Sequence, residues 1–388
     1  MARGGGMTDN PAIRRIAVFA RLRGPGLGDL VQRNILLSLL RRAHPLAEVS
    51  VVAGSELVDR FSELLTGHSY ATDVLRCPAV GDTDPGRWRE FRRVLAERGF
   101  QMCVVDPDSR DLDAREARAA GIPVRVALPT GGPGDTAITH PIRLPPSLRG
   151  RPDLYDYARG AAAALGLPAP RSGEVVPVLP KRPEWTPELD APAPRIAVHP
   201  GGARLWNRRW PLRHFARLCV RLVDELDASL YLLGAEQERA ELAVLSRDVL
   251  AQRPDARVHV AVGESLNRTA NLLAGVELLV GNDSAPAHLA AALRTPTVVL
   301  YGPTGTEFLW ARVYPRHRGV SLRYPCQDIR HAAEDVATRR CEHACPVAYE
   351  SPEGPYPRCL TDLPVDEVWR AVTRQLPATS ARPNGSPR

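Results

Sequence analysis

The chain has 388 residues, enough for two domains at about 150 residues each. Hydrophobic residues make up 44% and charged residues 24%, a balance that excludes a largely disordered chain. No apolar stretch reaches the ~18 residues needed to span a bilayer. The formal net charge is +7, and of the 51 basic residues only Lys181 is a lysine. The arginines are scattered, without a long basic block or interleaved aromatics, which argues against a nucleic-acid partner.

Residues 1–13 read as a disordered leader without the apolar core of a secretory signal, so the expected location is cytoplasmic. Met7 is a candidate start. The apolar run Arg15 to Ala20 predicts a buried parallel strand. A glycine loop, Gly24-Pro25-Gly26-Leu27-Gly28-Asp29, leads to a predicted helix over Leu30 to Arg42. Strands are predicted at Glu48 to Ala53, Met102 to Val105 and Val124 to Leu128, with a helix over Ala114 to Ala120. This is the opening of a doubly wound sheet.

The proline-rich stretch Pro168 to Pro194 breaks all periodicity and reads as a semi-rigid connection. The pattern then restarts, with strands at Arg195 to His199, Ser229 to Leu233, Val258 to Val260, Glu277 to Val280 and Thr297 to Tyr301. Helices are predicted at Leu212 to Glu225, Gln237 to Leu250, Asn267 to Leu273 and Ala287 to Leu293, and a last amphipathic one at Pro364 to Leu376. Strands alternating with helices predict a second parallel α/β domain. The expected architecture is two Rossmann-like domains facing a central cleft.

Three loops carry chemistry. The first does not have the G-x-G-x-x-G spacing of a dinucleotide site. It sets Asp29 at a helix start beyond a strand's carboxyl end, either as a helix cap or as a group facing a ligand. The second, His199-Pro200-Gly201-Gly202, leads to Arg208-Arg209-Trp210-Pro211. Its glycines permit close backbone approach and its arginines offer forked donors for phosphate, although a solvated basic loop has the same composition. The third, Gly281-Asn282-Asp283-Ser284-Ala285-Pro286-Ala287-His288, predicts a helix start capped by Asp283 or Ser284. Such a terminus favours phosphate, with His288 in its first turn.

Two further groupings have plainer readings. Asp106, Asp108, Asp111 and Asp113 resemble metal-binding D-x-D carboxylates but read as turns and caps. Cys326, Cys341, Cys345 and Cys359 allow a tetrahedral zinc site, yet lack paired C-x-x-C spacing and read first as reduced thiols. Cys77, Cys103 and Cys219 read as small core residues.

Gly28-Asp29, the His199-Pro200-Gly201 loop, Arg208-x-Trp210-Pro211 and Asp283-Ser284-x-Pro286-x-His288-Leu289 resemble, in this order, the motifs of the ADP-heptose:lipopolysaccharide heptosyltransferases, glycosyltransferase family 9. Cys341, Cys345-Pro346 and Arg358-Cys359-Leu360 are similar to cysteines in many members. The resemblance implies a GT-B fold, with residues 14–180 binding the acceptor and residues 181–363 the nucleotide sugar. A C-terminal helix over 364–376 and a disordered tail over 377–388 complete the expected organisation.

The resemblance also implies inverting sugar transfer, heptose or another unusual hexose, without a divalent metal or other cofactor. Asp29 then takes the place of the catalytic base. Gly201, Gly202, Arg208, Asp283, Ser284 and His288 take the donor and phosphate positions, and Glu238 that of a glutamate contacting the nucleoside. The expected partners are a nucleoside-diphosphate sugar and a glycan, lipid-linked or natural-product (antibiotic) acceptor, with no transmembrane segment. Arg208 stands where the family usually has lysine, and Ala285 where it has glycine. The rival reading is a non-catalytic nucleotide-sugar-binding protein of the same fold.

Overall fold

In the computed structural model, residues 13–20, 27–32, 34–55, 57–59, 71–79, 81–106, 109, 112–144, 154–171, 189–202, 208–302, 313–322 and 356–376 are described. The chain divides into two compact units, residues 1–24, 37–143 and 159–169 in one, and 25–36, 144–158 and 170–388 in the other.

The first unit is built on a parallel sheet of β1 (Arg15–Phe19), β2 (Glu48–Gly54), β3 (Asp73–Cys77), β4 (Met102–Val105), β5 (Val124–Ala127) and β6 (His140–Pro141). The strand order is β3-β2-β1-β4-β5-β6, and Val18 of β1 lies between Val51 and Val104 in register. Covered on both faces, the central strands need apolar residues at every position, hence their unbroken hydrophobic runs.

The helix Leu30 to Arg42 expected from the sequence falls on α1 (Leu27–Gln32) and α2 (Asn34–Ala43), with residue 33 between them outside the described residues. α3 (Pro85–Arg98) was not anticipated, because it buries only Phe91 and Leu95. Its ends carry ordinary signals: Asp84 accepts from the Gly86 N–H at 2.7 Å, Pro85 opens the first turn, and Gly99 ends it at φ 61°. Phe91 packs edge-on to Phe19 at 6.4 Å. Truncating a buried leucine such as Leu95 to alanine costs about 2–5 kcal/mol. α4 (Leu112–Ala119) and α5 (Leu154–Ala164) follow.

The second unit repeats the plan with β7 (Arg195–His199), β8 (Ser229–Gly234), β9 (Val258–Val262), β10 (Leu278–Asn282), β11 (Thr297–Leu300) and β12 (His317–Val320). Its order, β9-β8-β7-β10-β11-β12, has the same winding as the first sheet and is again all parallel. The helices are α6 (Leu212–Leu226), α7 (Arg239–Gln252), α8 (Leu266–Gly275), α9 (Ala285–Ala292), α10 (Arg358–Thr361) and α11 (Val365–Gln375). α6 and α11 cover one face with Phe215, Leu218, Cys219, Leu222, Val368, Trp369 and Val372. The Trp210 indole N–H locks onto the Leu363 carbonyl at 3.0 Å, and the Arg221 guanidinium lies 4.4 Å over the Trp369 ring.

Cys77, Cys103, Cys219 and Cys359 are buried cysteines, and burial pushes Cys103 and Cys219 up to about 12. No described helix is long and apolar enough to cross a membrane. Residues 1–12 of the expected leader, most of the proline-rich connection (172–188) and the tail (377–388) lie outside the described residues.

Candidate functional site

In the second sheet the strand order reverses between β7 and β10, and in open α/β sheets ligands bind beyond the strand ends at such a point. β7 ends on His199 and β10 on Asn282, so the second and third loops of the sequence meet there. The fit is close. A Cβ on Gly281 would come within 2.6 Å of the His199 carbonyl oxygen, and one on Gly201 within 2.0 Å of Glu238 Oε1.

Asn282, fully buried, ties the loops together. Its amide Nδ2 donates to the Pro200 and Gly201 carbonyls at 2.6 and 3.0 Å, and its Oδ1 accepts from the Trp210 N–H at 3.1 Å. Glu238 supports the glycines from below, accepting from the Gly202 N–H at 3.2 Å and the Ala235 N–H at 2.9 Å. His199 Nε2 lies 3.8 Å from Glu238 Oε2 and Arg209 Nη2 3.5 Å from Oε1. Burial pushes the Glu238 carboxyl upward, but the nearby His199 imidazole and the two backbone N–H groups outweigh it and hold the group at about 2.

Ser284 occupies the N-cap position of α9, yet its hydroxyl does not cap the helix. It donates to the Asn282 carbonyl at 3.1 Å and lies 3.0 Å from His199 Nδ1. The sequence expectation of a side-chain cap by Ser284 is therefore corrected: the neighbouring histidine competes for the hydroxyl. The terminus is also less open than a generic one, since Pro286 has no N–H and the Ala287 N–H already donates to the Ser284 carbonyl at 3.1 Å. It offers its dipole more than a row of free donors.

The Arg208 guanidinium reaches this edge. Its Nη1 is 3.7 Å from the buried Asp283 carboxylate, and its buried Nε has no hydrogen-bond partner among the described residues. His288 is buried in α9, with Nδ1 3.0 Å from the Tyr314 hydroxyl. α1 belongs to the same unit and packs on α9, where a Cβ on Gly28 would meet His288 Cδ2 at 2.7 Å. Asp29 is the next residue, within α1. Its side chain lies outside what the structure describes.

Gly201, Gly202, Arg208, Glu238, Asp283, Ser284 and His288 are thus drawn into one unit. Asn282 and His199 were within the motifs but their joining role was not, because it rests on pairings more than 70 residues apart in sequence. Tyr314 carried no sequence signal. Asp106 and Asp113 are buried, Asp113 accepting from the Ser109 hydroxyl at 2.7 Å, while Asp108 and Asp111 lie outside the described residues. Cys326, Cys341 and Cys345 do as well, and Cys359 is packed in the core with Leu360 and Trp369. Among the described residues no cluster has the makings of a metal site.

The family model for glycosyltransferase family 9 (heptosyltransferase) matches residues 143–337. Lipopolysaccharide heptosyltransferase 2 of Escherichia coli K12 is 27% identical over 301 residues, covering 74% of this chain and 83% of that protein. The solved structure of E. coli ADP-heptose lps heptosyltransferase II superposes with a TM-score of 0.64 at 20% identity, covering 94% of this chain and 98% of that one. E. coli heptosyltransferase WaaC with ADP-2-deoxy-2-fluoro heptose gives a TM-score of 0.56 at 18% identity, over 79% and 92%. At these identities the structural likeness concerns the fold, which is GT-B with two Rossmann-like domains. The family match covers half of the chain and includes the second and third loops, so the chain belongs to glycosyltransferase family 9 and is a glycosyltransferase.

Proposed function

We propose that this chain transfers a heptose, or a related unusual hexose, from a nucleoside-diphosphate sugar to an acceptor hydroxyl with inversion and without a divalent metal. The observation that carries the reading is Arg208: a cation beside the α9 terminus whose buried Nε donor has no partner among the described residues. A diphosphate seated there gains charge-assisted hydrogen bonds from the guanidinium and a favourable helix dipole. The names of the relatives point to ADP-heptose as the first donor to try.

In this reading residues 181–363 bind the donor and residues 14–180 the acceptor. Asp29 removes the acceptor proton as its oxygen attacks the anomeric carbon, and the bond to the diphosphate breaks on the opposite face. Arg208, Ser284 and His288 offset the charge that develops on the leaving diphosphate. Asp283 orients Arg208 and sugar hydroxyls, and Glu238 holds the Gly201-Gly202 loop against the nucleotide. The relatives' names suggest a lipopolysaccharide-type acceptor. Arg208 and Ala285, where lysine and glycine are usual, leave natural-product acceptors within the reading, because they alter the donor edge itself.

A thermal-shift series with ADP, ADP-heptose, GDP-, UDP- and dTDP-sugars tests it. A donor at 100 times its Kd is expected to stabilise the protein by about 2.7 kcal/mol. Arg208→Ala is expected to weaken nucleotide binding about tenfold by removing a charge-assisted contact, whereas unchanged affinity for every nucleotide takes Arg208 out of the site.

A further inference from the structure

His199 ends β7, and Ser284 follows the end of β10. The two strands are parallel neighbours, with Gly281 opposite His199 in register. A Cβ on Gly281 would stand 2.6 Å from the His199 carbonyl oxygen and 3.0 Å from the His199 Cβ. Glycine at this position therefore lets β10 lie close enough to bring Ser284 onto the imidazole.

His199 is buried and Ser284 half-buried. The Ser284 hydroxyl oxygen lies 3.0 Å from His199 Nδ1 and 3.1 Å from the Asn282 carbonyl oxygen. A hydroxyl has one proton to give and two lone pairs to accept with, whereas a carbonyl oxygen only accepts. Ser284 gives its proton to Asn282, so the contact to His199 is a hydrogen bond only when Nδ1 carries a proton and donates. On the other edge of the ring, Nε2 is 3.8 Å from Glu238 Oε2, beyond hydrogen-bond length. The Ser284 contact is thus the hydrogen bond that fixes the ring proton.

We infer that His199 is a positioning residue for sugar transfer: its Nδ1–H holds the Ser284 oxygen from the protein side, so that the hydroxyl proton can turn from the Asn282 carbonyl to an oxygen of the donor diphosphate. The inference rests on the reading of Ser284 as a donor contact. Beside a bare Nδ1 the serine would donate inward to the ring and present a lone pair to the diphosphate, which repels it. With Nδ1–H in place, the charge that grows on the leaving diphosphate meets the hydroxyl proton.

Two measurements test this. In protein labelled with 15N-histidine at neutral pH, His199 Nδ1, assigned by the loss of its signal in His199→Gln, is expected to show a bound proton. A bare Nδ1 overturns the inference without any activity assay. The second measurement is a double-mutant cycle with ADP-heptose as the donor probe. His199→Ala and Ser284→Ala are each expected to lower kcat/KM about tenfold, the worth of one hydrogen bond. The double variant is expected to lose no more than Ser284→Ala alone, because His199 acts through the serine. If His199→Ala does not fold, His199→Gln fills the buried space and takes its place in the cycle. Losses that multiply in the double variant overturn the inference, as does wild-type kcat/KM in the His199 variant beside a slow Ser284→Ala. Both results leave the donor-site reading intact. Wild-type kcat/KM in Ser284→Ala overturns the inference together with the reading of Ser284 as a donor contact.

Discussion

The Asn282 side chain and the Trp210 backbone are joined by a buried hydrogen bond of 3.1 Å, while the same amide donates to the Pro200 and Gly201 carbonyls. One side chain at the end of β10 therefore fixes both the glycine loop after β7 and the turn that carries Arg208. Asn282→Ala leaves a buried N–H and two carbonyls without their partner, and each such group costs about 1–3 kcal/mol. Urea unfolding is expected to show a loss of about 2–4 kcal/mol, with nucleotide affinity falling alongside because the loops lose their register. Asn282→Asp turns a donor into an acceptor facing two carbonyls and is expected to be at least as damaging. A loss below about 0.5 kcal/mol for the alanine variant would mean that other contacts hold the loops.

Glu238 gives the site a pH signature. Its folded-state value near 2 lies below the ordinary 4.5, so its ionised form stabilises the fold above about pH 4.5. That contribution fades as the pH falls toward about 2. Glu238→Gln is expected to be less stable than wild type at pH 7, with the difference closing across that interval in denaturation curves taken at stepped pH. Gly201→Ala must displace the same carboxylate, because its Cβ would stand 2.0 Å from Oε1. Its cost is therefore expected to shrink in a Glu238→Ala background, by about 0.5–3 kcal/mol of coupling. Additive losses would separate the two residues.

How far the sequence foretold this arrangement depends on burial. β4 and β7 match their expected bounds, Met102–Val105 and Arg195–His199, since central parallel strands are apolar at every position. β3 and β12 went unread. Both stand at sheet edges, where half-exposed positions such as Asp73, Arg76 and Arg318 interrupt the run. α3 was missed for the same reason, although Asp84, Pro85 and Gly99 mark its ends. In the site, the glycine loop and the Asp283-Ser284 turn were legible because their local chemistry is unusual. The Asn282 clamp and the Tyr314–His288 pair were not, because tertiary contact alone makes them.

Transfer is expected to continue in EDTA and to gain less than about twofold from added manganese or magnesium. The charge that a metal neutralises in other transferases is met here, in the proposed reading, by Arg208, the α9 dipole and the Ser284 and His288 donors. Activity abolished by EDTA and restored by manganese would overturn this. Attention would then pass to Asp106 and its neighbours in the first unit.

Asp29 bears the heaviest part of the proposed chemistry. An acceptor hydroxyl is a poor nucleophile at neutral pH, and a positioned base that takes its proton during attack contributes about 10²–10⁴-fold. Asp29 lies in the first turn of α1, one residue from the glycine that abuts His288, so the backbone brings the base candidate and a donor-site candidate into one neighbourhood. Asp29→Asn preserves size and hydrogen bonding while removing basicity. It is expected to fold normally and to bind donor with unchanged affinity in the thermal-shift assay. Its transfer rate is expected to fall at least about a hundredfold, with kcat and kcat/KM falling together because the lost interaction exists only in the transition state. Near-normal turnover would exclude the base role. A fall in melting temperature as large as that of a core truncation would assign the carboxylate to holding α1, and Asp29→Glu would then decide, since a displaced base restores some turnover and a lost structural contact does not.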